Sequence, residues 1–428
     1  MIEHENVRLR IGWIIGMLYL LTSLLSAQNE RYTFTDFTVK DGLSHANVLS
    51  IYEDKIGSYW VGTIDGLTRI LGNEIKNYSY HYSDSTSILS NHVQFVVEDA
   101  CGQLWVSTSH GVSKYFSNTD SFVPVFVAGN LLKAFSYQLE GQHILFGGNQ
   151  AIYSYDCSVG EIKPLLLLQS SFPLSINYFK RVDKNRFLVV DNYKGVFWVD
   201  AQTGVVTRFP TIHHKTEYNQ AFIDSESHLW LAPYTKGLEC YSLEDEGKLL
   251  HHYTTDNSLL SHNSVTDVKE FGSQLWIATD GGGINILDRK SGFFQHVTHS
   301  SFDEHSISSD FIRVLFEDSF GTKWAGTVHN GLICIHEGYM KHYSSVGNCE
   351  LKGHGYRSVS SICEDQDGNV WMGIEHSGLS KYDIKEKRFT HFPYAFSGSV
   401  MSVVDFDTNH LLISFYGEGI YTVSYTHL

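Results

Sequence analysis

Apolar and polar residues alternate with a period of two along most of this chain. "VLSIYE" (48–53) is typical, and such runs predict half-buried strands. Turn residues separate them, as in "DKIG", "DSFG" and "DQDG". There the Asp side chain can accept a bond from the backbone two residues on, and the Gly tolerates positive φ. Second strands follow ("YWVGT", "LWVST"), then a short loop and a third ("GLTRI", "GLSKY"). A fourth, more variable strand carries aromatics ("NYSY", "FFQHV", "RFTHF"). No helical period of ten or more residues appears after the N-terminal segment.

The strand pattern repeats. "SHANVLSIYEDKIGSYWVGTIDGLTRI" (44–70) returns at 90–115, 261–287, 308–335 and 356–383, and in weaker form at 221–241. Units at 140–156, 183–200 and 407–423 keep the frame without the tryptophan. The second-strand anchors are Trp60, Trp105, Leu145, Leu188, Trp230, Trp276, Trp324, Trp371 and Leu412, spaced 40–48 residues apart. Six or seven residues after each anchor comes a small residue: Gly66, Gly111, Ala151, Gly195, Gly237, Gly283, Gly331, Gly378 and Gly419. An aspartate opens the turn at Asp54, Asp99, Asp318 and Asp365. Four short strands in a repeat of this length match a β-propeller blade, so the predicted class is all-β.

Nine units exceed the usual four to eight blades of one ring. One closed ring plus the start of a second resolves the count. "RYTFTDFTVKDGLS" reads as an outer strand leading into the first blade, available to complete the last blade of ring one. Seven blades place Trp324 in that closing blade, and eight blades are the alternative. The expected boundaries are 1–27 as a signal peptide, 28–343 as the first propeller and 344–428 as the start of a second. The irregular stretch 344–355, "SSVGNCELKGHG", marks the junction. The final residues "VSYTHL" coincide with one reading frame of a common transposon sequencing adapter, so the natural chain is expected to continue.

The pattern "GLS…V…I.ED..G..WVGT..GL..Y" resembles the two-component regulator propeller repeat, best at 42–69, 89–115, 308–335 and 356–382. With the degenerate units the resemblance spans about 32–423. It implies the periplasmic sensor of a hybrid two-component system of the Bacteroidetes type, built from two seven-bladed propellers. A Tyr-rich β-sandwich, a transmembrane helix, a histidine kinase, a receiver and a DNA-binding region typically follow in that family. Its sensors respond to glycans and control genes for polysaccharide use. The resemblance therefore implies a glycan ligand, a homodimer in the full-length protein and an inner-membrane tether. This chain contains no kinase motif, and no cofactor is expected.

Composition narrows the alternatives. Net charge is −16 without acidic blocks, which argues against nucleic-acid binding, since that needs a basic footprint. Residues 1–27 run from two arginines through "IGWIIGMLYLLTSLLSA" and read as a secretory signal. An uncleaved anchor is the alternative, because the apolar run approaches the spanning minimum of about 17 residues. Either way the mature chain lies outside the cytoplasm. The six cysteines form no CxxC pair, which removes zinc-ribbon and thioredoxin readings. Most are expected to be buried free thiols, with one pairing open to an exported protein.

Candidate chemistry starts with adjacent carboxylates: Glu53 and Asp54, Glu98 and Asp99, Glu317 and Asp318, Glu364 and Asp365. A catalytic pair is needed once, whereas a blade turn is needed in every blade. Neighbouring strand residues also point to opposite faces and do not converge on one substrate atom. These pairs therefore read as structure. A sialidase would need an arginine cluster, and the arginines past the signal are few and scattered (31, 69, 181, 186, 208, 289, 313, 357, 388). A lyase of the streptogramin type would need a metal-assisted His/Glu site. No metal-ligand spacing is present among the 23 histidines. "TDGGGIN" (279–285) lacks the Lys-Ser/Thr of a phosphate loop. Ligand-binding candidates come instead from the loops entering the first strand and joining the second to the third. They are His45, Asn47, Asp65, Asn91, His92, His110, Asp280, His329, Arg357, Glu375 and His376. A secreted enzyme or an adhesion scaffold remains the alternative function.

Overall fold

The computed structural model describes residues 32–212, 217–245, 247–303, 306–337, 358–375, 378–385, 388–392, 399–407 and 410–424. The chain divides into two compact units, Met1–Met340 and Lys341–Leu428. The signal segment and the 344–355 junction lie outside the described residues.

In the first unit, seven four-stranded antiparallel sheets follow one another as blades. Blade one comprises strands a to d in sequence order: Val48–Glu53, Tyr59–Thr63, Gly66–Leu71 and Glu74–Tyr78. Blades two to six repeat this plan, their a strands being Val93–Glu98, Ser136–Glu140, Tyr178–Arg181, Tyr218–Ile223 and Val265–Phe271. Blade seven takes Ile312–Glu317, Lys323–Thr327 and Leu332–Glu337 from the far end of the unit and Tyr32–Phe37 from the near end. Tyr32 pairs with Glu337 and Phe37 with Leu332, so both ends of the unit share one sheet. Strand a of blade one contacts that of blade two, the a strands of blades three to seven contact one another in series, and blade seven closes back on blade one; blades two and three join through Trp105 against Phe146 and Tyr155. The fold is a seven-bladed propeller whose a strands line the axis.

The second unit holds two blade-like sheets. One has four strands, Val359–Glu364, Val370–Ile374, Gly378–Asp383 and Arg388–Phe392. The other has three, Val400–Asp407, His410–Phe415 and Gly419–Ser424.

Each complete a–b turn is organised by its aspartate. Asp54 Oδ1 accepts the backbone N–H groups of Ile56 (3.2 Å) and Ser58 (2.8 Å), and Oδ2 accepts Trp60 Nε1–H at 2.7 Å. Asp99 does the same for Cys101, Gln103 and Trp105, with Trp105 Nε1 at 3.0 Å. Asp224, Asp318 and Asp365 repeat the set, holding Trp230, Trp324 and Trp371 at 2.8, 2.9 and 2.8 Å. One carboxylate thus closes the hairpin and fixes the indole that fills the blade. Burial pushes the Asp318 carboxyl up, but bonds from Trp324, Tyr59, Thr322 and Phe320 outweigh it, leaving its pKa below the ordinary value.

The tryptophans carry packing between blades. Trp105 is fully buried against Phe146 (5.1 Å) and Tyr155 (4.5 Å) of blade three. Trp324 meets Tyr59 of blade one at 4.8 Å, and Trp276 meets Tyr32 of blade seven at 5.7 Å. The glycine of "WVGT" lets the neighbouring blade close in. A Cβ at Gly62 would lie 2.3 Å from Ser50 Oγ and 2.7 Å from Val93 Cγ1 of blade two.

The glutamate before the aspartate works in the other direction. Glu53 Oε2 accepts the Ser319 N–H of blade seven at 2.6 Å, and Glu98 Oε2 accepts the Lys55 N–H of blade one at 2.7 Å. Glu270 Oε2 takes the Ser225 N–H of blade five at 2.8 Å. Where this bond is missing, another link stands in. Glu140 turns to Arg181 of blade four at 3.0 Å. Between blades two and three, Cys101 and Cys157 form a disulfide. Cys240 and Cys334 are buried free thiols whose pKa burial pushes up to about 12, Cys363 is half-buried, and Cys349 lies outside the described residues.

Trp276 is the exception that tests this scheme. Its a–b turn is a two-residue hairpin, Gly272 and Ser273, and the residue six before it is Glu270, committed to blade five. Trp276 Nε1 is buried without a hydrogen-bond partner. Both indoles are fully buried, so phenylalanine removes similar packing at each but breaks a charge-assisted bond only at Trp105. Trp105→Phe is expected to cost about 1–3 kcal/mol more than Trp276→Phe in denaturant unfolding. Equal costs would show that the Asp–Trp bond contributes nothing net.

Candidate functional site

The paired carboxylates cannot act on one substrate atom. Glu53 reaches blade seven while Asp54 folds back into its own turn. The same division holds for Glu98 and Asp99. A cleft of about 150 Å³ between blades one and two is lined by these groups, including Asp54, Lys55, Trp60 and Glu98. Asp54, Lys55 and Glu98 there are committed to bonds within and between the two blades.

The described arginines also serve separate places. Arg69 lies 5.4 Å from the Trp60 ring centroid, Arg186 is 4.6 Å from that of Trp198 and Arg208 is 5.4 Å from that of Phe197. Arg181 bonds Glu140, and Arg289 bonds Asp224 and Glu270. No set of three converges among the described residues, as gripping a sialic acid carboxylate would require.

The opposite face offers free side chains. Strand alternation places the b–c loops on the same face as the segments entering strand a. In blades one, two, six and seven the loop is pinned to its own entrance. The N–H groups of Ile64, Ser109, Asp280 and Val328 donate to the carbonyls of Asn47 (3.2 Å), His92 (3.0 Å), Ser264 (2.9 Å) and Phe311 (3.0 Å). The rim is therefore rigid backbone carrying variable side chains.

The loop residues singled out from the sequence fall into separate groups. Asn91 Nδ2 donates to Asp65 Oδ1 at 2.7 Å, and its Oδ1 accepts the Tyr80 N–H at 2.6 Å. This pair ties blade one to the entrance of blade two. His45 Nδ1 accepts the Asn47 N–H at 2.9 Å, and Asn47 Oδ1 is buried without a partner. His92 and His110 are exposed on one pinned loop pair of blade two. Asp280 and His329 come together on Phe311. Asp280 forms an isolated β-bridge with it, and the His329 ring centroid lies 5.9 Å from the Phe311 ring. Glu375 is exposed in the second unit, its N–H donating to Ser358 O at 2.9 Å. Arg357 and His376 lie outside the described residues.

Several exposed aromatics on this face went unmarked by the sequence. Tyr193 and Tyr234 project from the b–c loops of blades four and five, 72% and 56% exposed, and Phe311 is 45% exposed. One signal could have found Tyr193. It stands two residues past the end of strand b, as do Asp65, His110 and His329. Blade four has lost its tryptophan, so that offset was harder to read there.

Comparison with known proteins agrees with this architecture. Residues 42–65 and 354–376 match the family described as Two component regulator propeller. A 64-residue stretch is 50% identical to Histidine kinase P4 of Formosa agariphila, a match taking in 15% of this chain and 5% of that protein. The extracellular domain of a putative hybrid two component system from B. thetaiotaomicron superimposes with a TM-score of 0.60 at 22% identity, covering 92% of this chain and 54% of that one. A second such domain from the same organism gives 0.57 at 18% identity, with 92% and 52% coverage. The chain thus spans about half the length of these solved domains. A streptogramin B lyase gives 0.50 at 12% identity over 72% of this chain, a likeness of fold alone. Among the described residues, no helix is long and apolar enough to cross a membrane.

The rim thus separates bonded from free side chains. Asn91→Ala removes bonds to Asp65 and Tyr80 and should cost about 1–2 kcal/mol in denaturant unfolding. His92→Ala should stay within about 0.5 kcal/mol of the parent. An equal loss at both positions would contradict the division.

Proposed function

We propose that this chain, a β-propeller built on two-component regulator propeller repeats, is the glycan-sensing region of an exported two-component sensor. Its histidine kinase belongs to a part of the protein outside this sequence. The observation that carries the reading is the division of labour in the ring. The repeat's acidic pairs and tryptophans are committed to holding blades, while a rigid rim presents free polar and aromatic side chains on one face. A rim of that composition suits sugar hydroxyls and sugar faces. The inter-blade disulfide and the apolar N-terminal segment support export to the periplasm, as do the extracellular domains among the structural neighbours.

Signalling follows from the same construction. A ligand that prefers one packing of the propellers in a homodimer shifts the population toward it, by no more than its difference in affinity for the two states. The tether to the inner membrane lies outside the described residues, and the kinase lies beyond them.

Two measurements test the reading. Extending the open reading frame beyond Val423 is expected to reveal a transmembrane helix followed by a histidine kinase. Calorimetry of the complete exported region against an oligosaccharide panel is expected to yield saturable binding. A downstream sequence without a kinase would contradict the sensor, and silence across the panel would favour an adhesion scaffold.

A further inference from the structure

The link between neighbouring a–b turns changes character at blades two and three. Glu140 ends strand a of blade three as Glu53 and Glu98 end theirs, but it turns forward to Arg181 of blade four at 3.0 Å. Glu98 reaches back to blade one. Neither glutamate spans blades two and three. The Cys101–Cys157 disulfide does, across 56 residues of sequence.

Both cysteines occupy places that the repeat uses elsewhere for contacts between blades. Cys101 sits two residues past Asp99 in the a–b turn of blade two. Cys157 follows the last residue of strand c in blade three, as Arg289 does in blade six. Arg289 Nη1 reaches back to Asp224 Oδ2 in the turn of blade five at 2.9 Å. Blade three makes the equivalent connection with a bond that a reductant can break.

Access and surroundings favour exchange at this bond. Cys101 is exposed and Cys157 is half-buried, whereas Cys240 and Cys334 are buried. Gln142 Oε1 stands 3.0 Å from Cys157 Sγ, placed to accept the S–H of the reduced thiol. The turn keeps its shape by other means. Asp99 Oδ1 accepts the Cys101 and Gln103 amides at 3.0 Å each, and Asp99 O accepts the Gly102 N–H at 3.1 Å. Away from the turn, Trp105 packs on Phe146 and Tyr155, and Lys114 Nζ donates to the Tyr155 hydroxyl at 3.1 Å. Ser107 Oγ donates to the Ala134 carbonyl, at the entrance of blade three, at 2.8 Å. Reduction therefore releases one face of the junction and leaves its packed interior in place.

We propose that Cys101–Cys157 is a thiol-exchange site whose redox state latches the turn face between blades two and three. The reactant class is a redox-active dithiol. One of its thiolates attacks the exposed Cys101 sulfur, forming a mixed disulfide as the Cys101–Cys157 bond breaks and Cys157 leaves as a thiolate. The second thiolate of the reactant then attacks the reactant's own sulfur in the mixed disulfide and releases Cys101. The chain gains two electrons and two protons, and the reactant ends as a disulfide. Exposure selects Cys101 as the sulfur attacked. Glycan binding plays no part in this step.

Alkylation and native-state hydrogen exchange on the 428-residue chain test the proposal. Dithiothreitol in native buffer is expected to make Cys101 and Cys157 open to iodoacetamide while Cys240 and Cys334 stay protected and circular dichroism is unchanged. The Cys157 N–H, held by Gln142 O at 3.1 Å, should then lose protection at least about tenfold, while the Lys55 and Ser319 amides at other junctions keep theirs. Glutathione, a monothiol, should add to Cys101 and leave Cys157 for iodoacetamide. Cys101→Ser should show the exchange pattern of the reduced chain without any reductant, and dithiothreitol should not alter it. Reduction only in denaturant, or a glutathione adduct on Cys157, would overturn the exchange site. Reduction that leaves exchange at Cys157 unchanged, or that unfolds the ring, would overturn the latch. If Cys101→Ser does not fold, the reduced parent chain decides the same question.

Discussion

The junctions on either side of blade one depend on how two neighbouring carboxylates divide their work. The aspartate bonds two backbone amides and an indole of its own blade. The glutamate before it bonds an amide of the preceding blade. Because adjacent strand residues point to opposite sides, one dipeptide closes a hairpin and fastens a neighbour. Blades one and two make both bonds, whereas in blade seven Glu317 pairs with Lys323 of its own blade at 3.5 Å. Where the glutamate is diverted, an Arg181–Glu140 pair or the Cys101–Cys157 disulfide occupies the same kind of junction. Tyr32–Phe37 then joins both ends of the unit in one sheet.

That construction explains what could be read from residues alone. Blade identity was legible because two markers stay in phase: a buried indole in strand b, and a glycine at the start of strand c such as Gly66, at φ 113°. The structural nature of "ED" was legible because it recurs. The substitutes were not. Cys101 and Cys157 lie 56 residues apart, in different units of the repeat, and no local spacing links them. The unpartnered Trp276 was hidden because its sequence looks like the others, and only the shortened turn removes its acceptor.

The candidate site was legible only in part, for a related reason. Loop offsets identify which residues share a face, not which of them are already bonded. Asp65 and Asn91 are spent on each other. Asp280 and His329 are joined through Phe311, a residue that polarity alone would pass over.

The central claim is that the acidic pair is shared architecture, with the glutamate holding the neighbouring blade. Native-state hydrogen exchange in Glu98→Ala tests it most directly. Lys55 N–H, whose acceptor is Glu98 Oε2, lies in blade one, whereas the Cys101 and Gln103 amides of blade two are held by Asp99. The account predicts that protection falls at Lys55 while Cys101 and Gln103 keep theirs. Unchanged exchange at Lys55, or a loss confined to the turn of blade two, would contradict it.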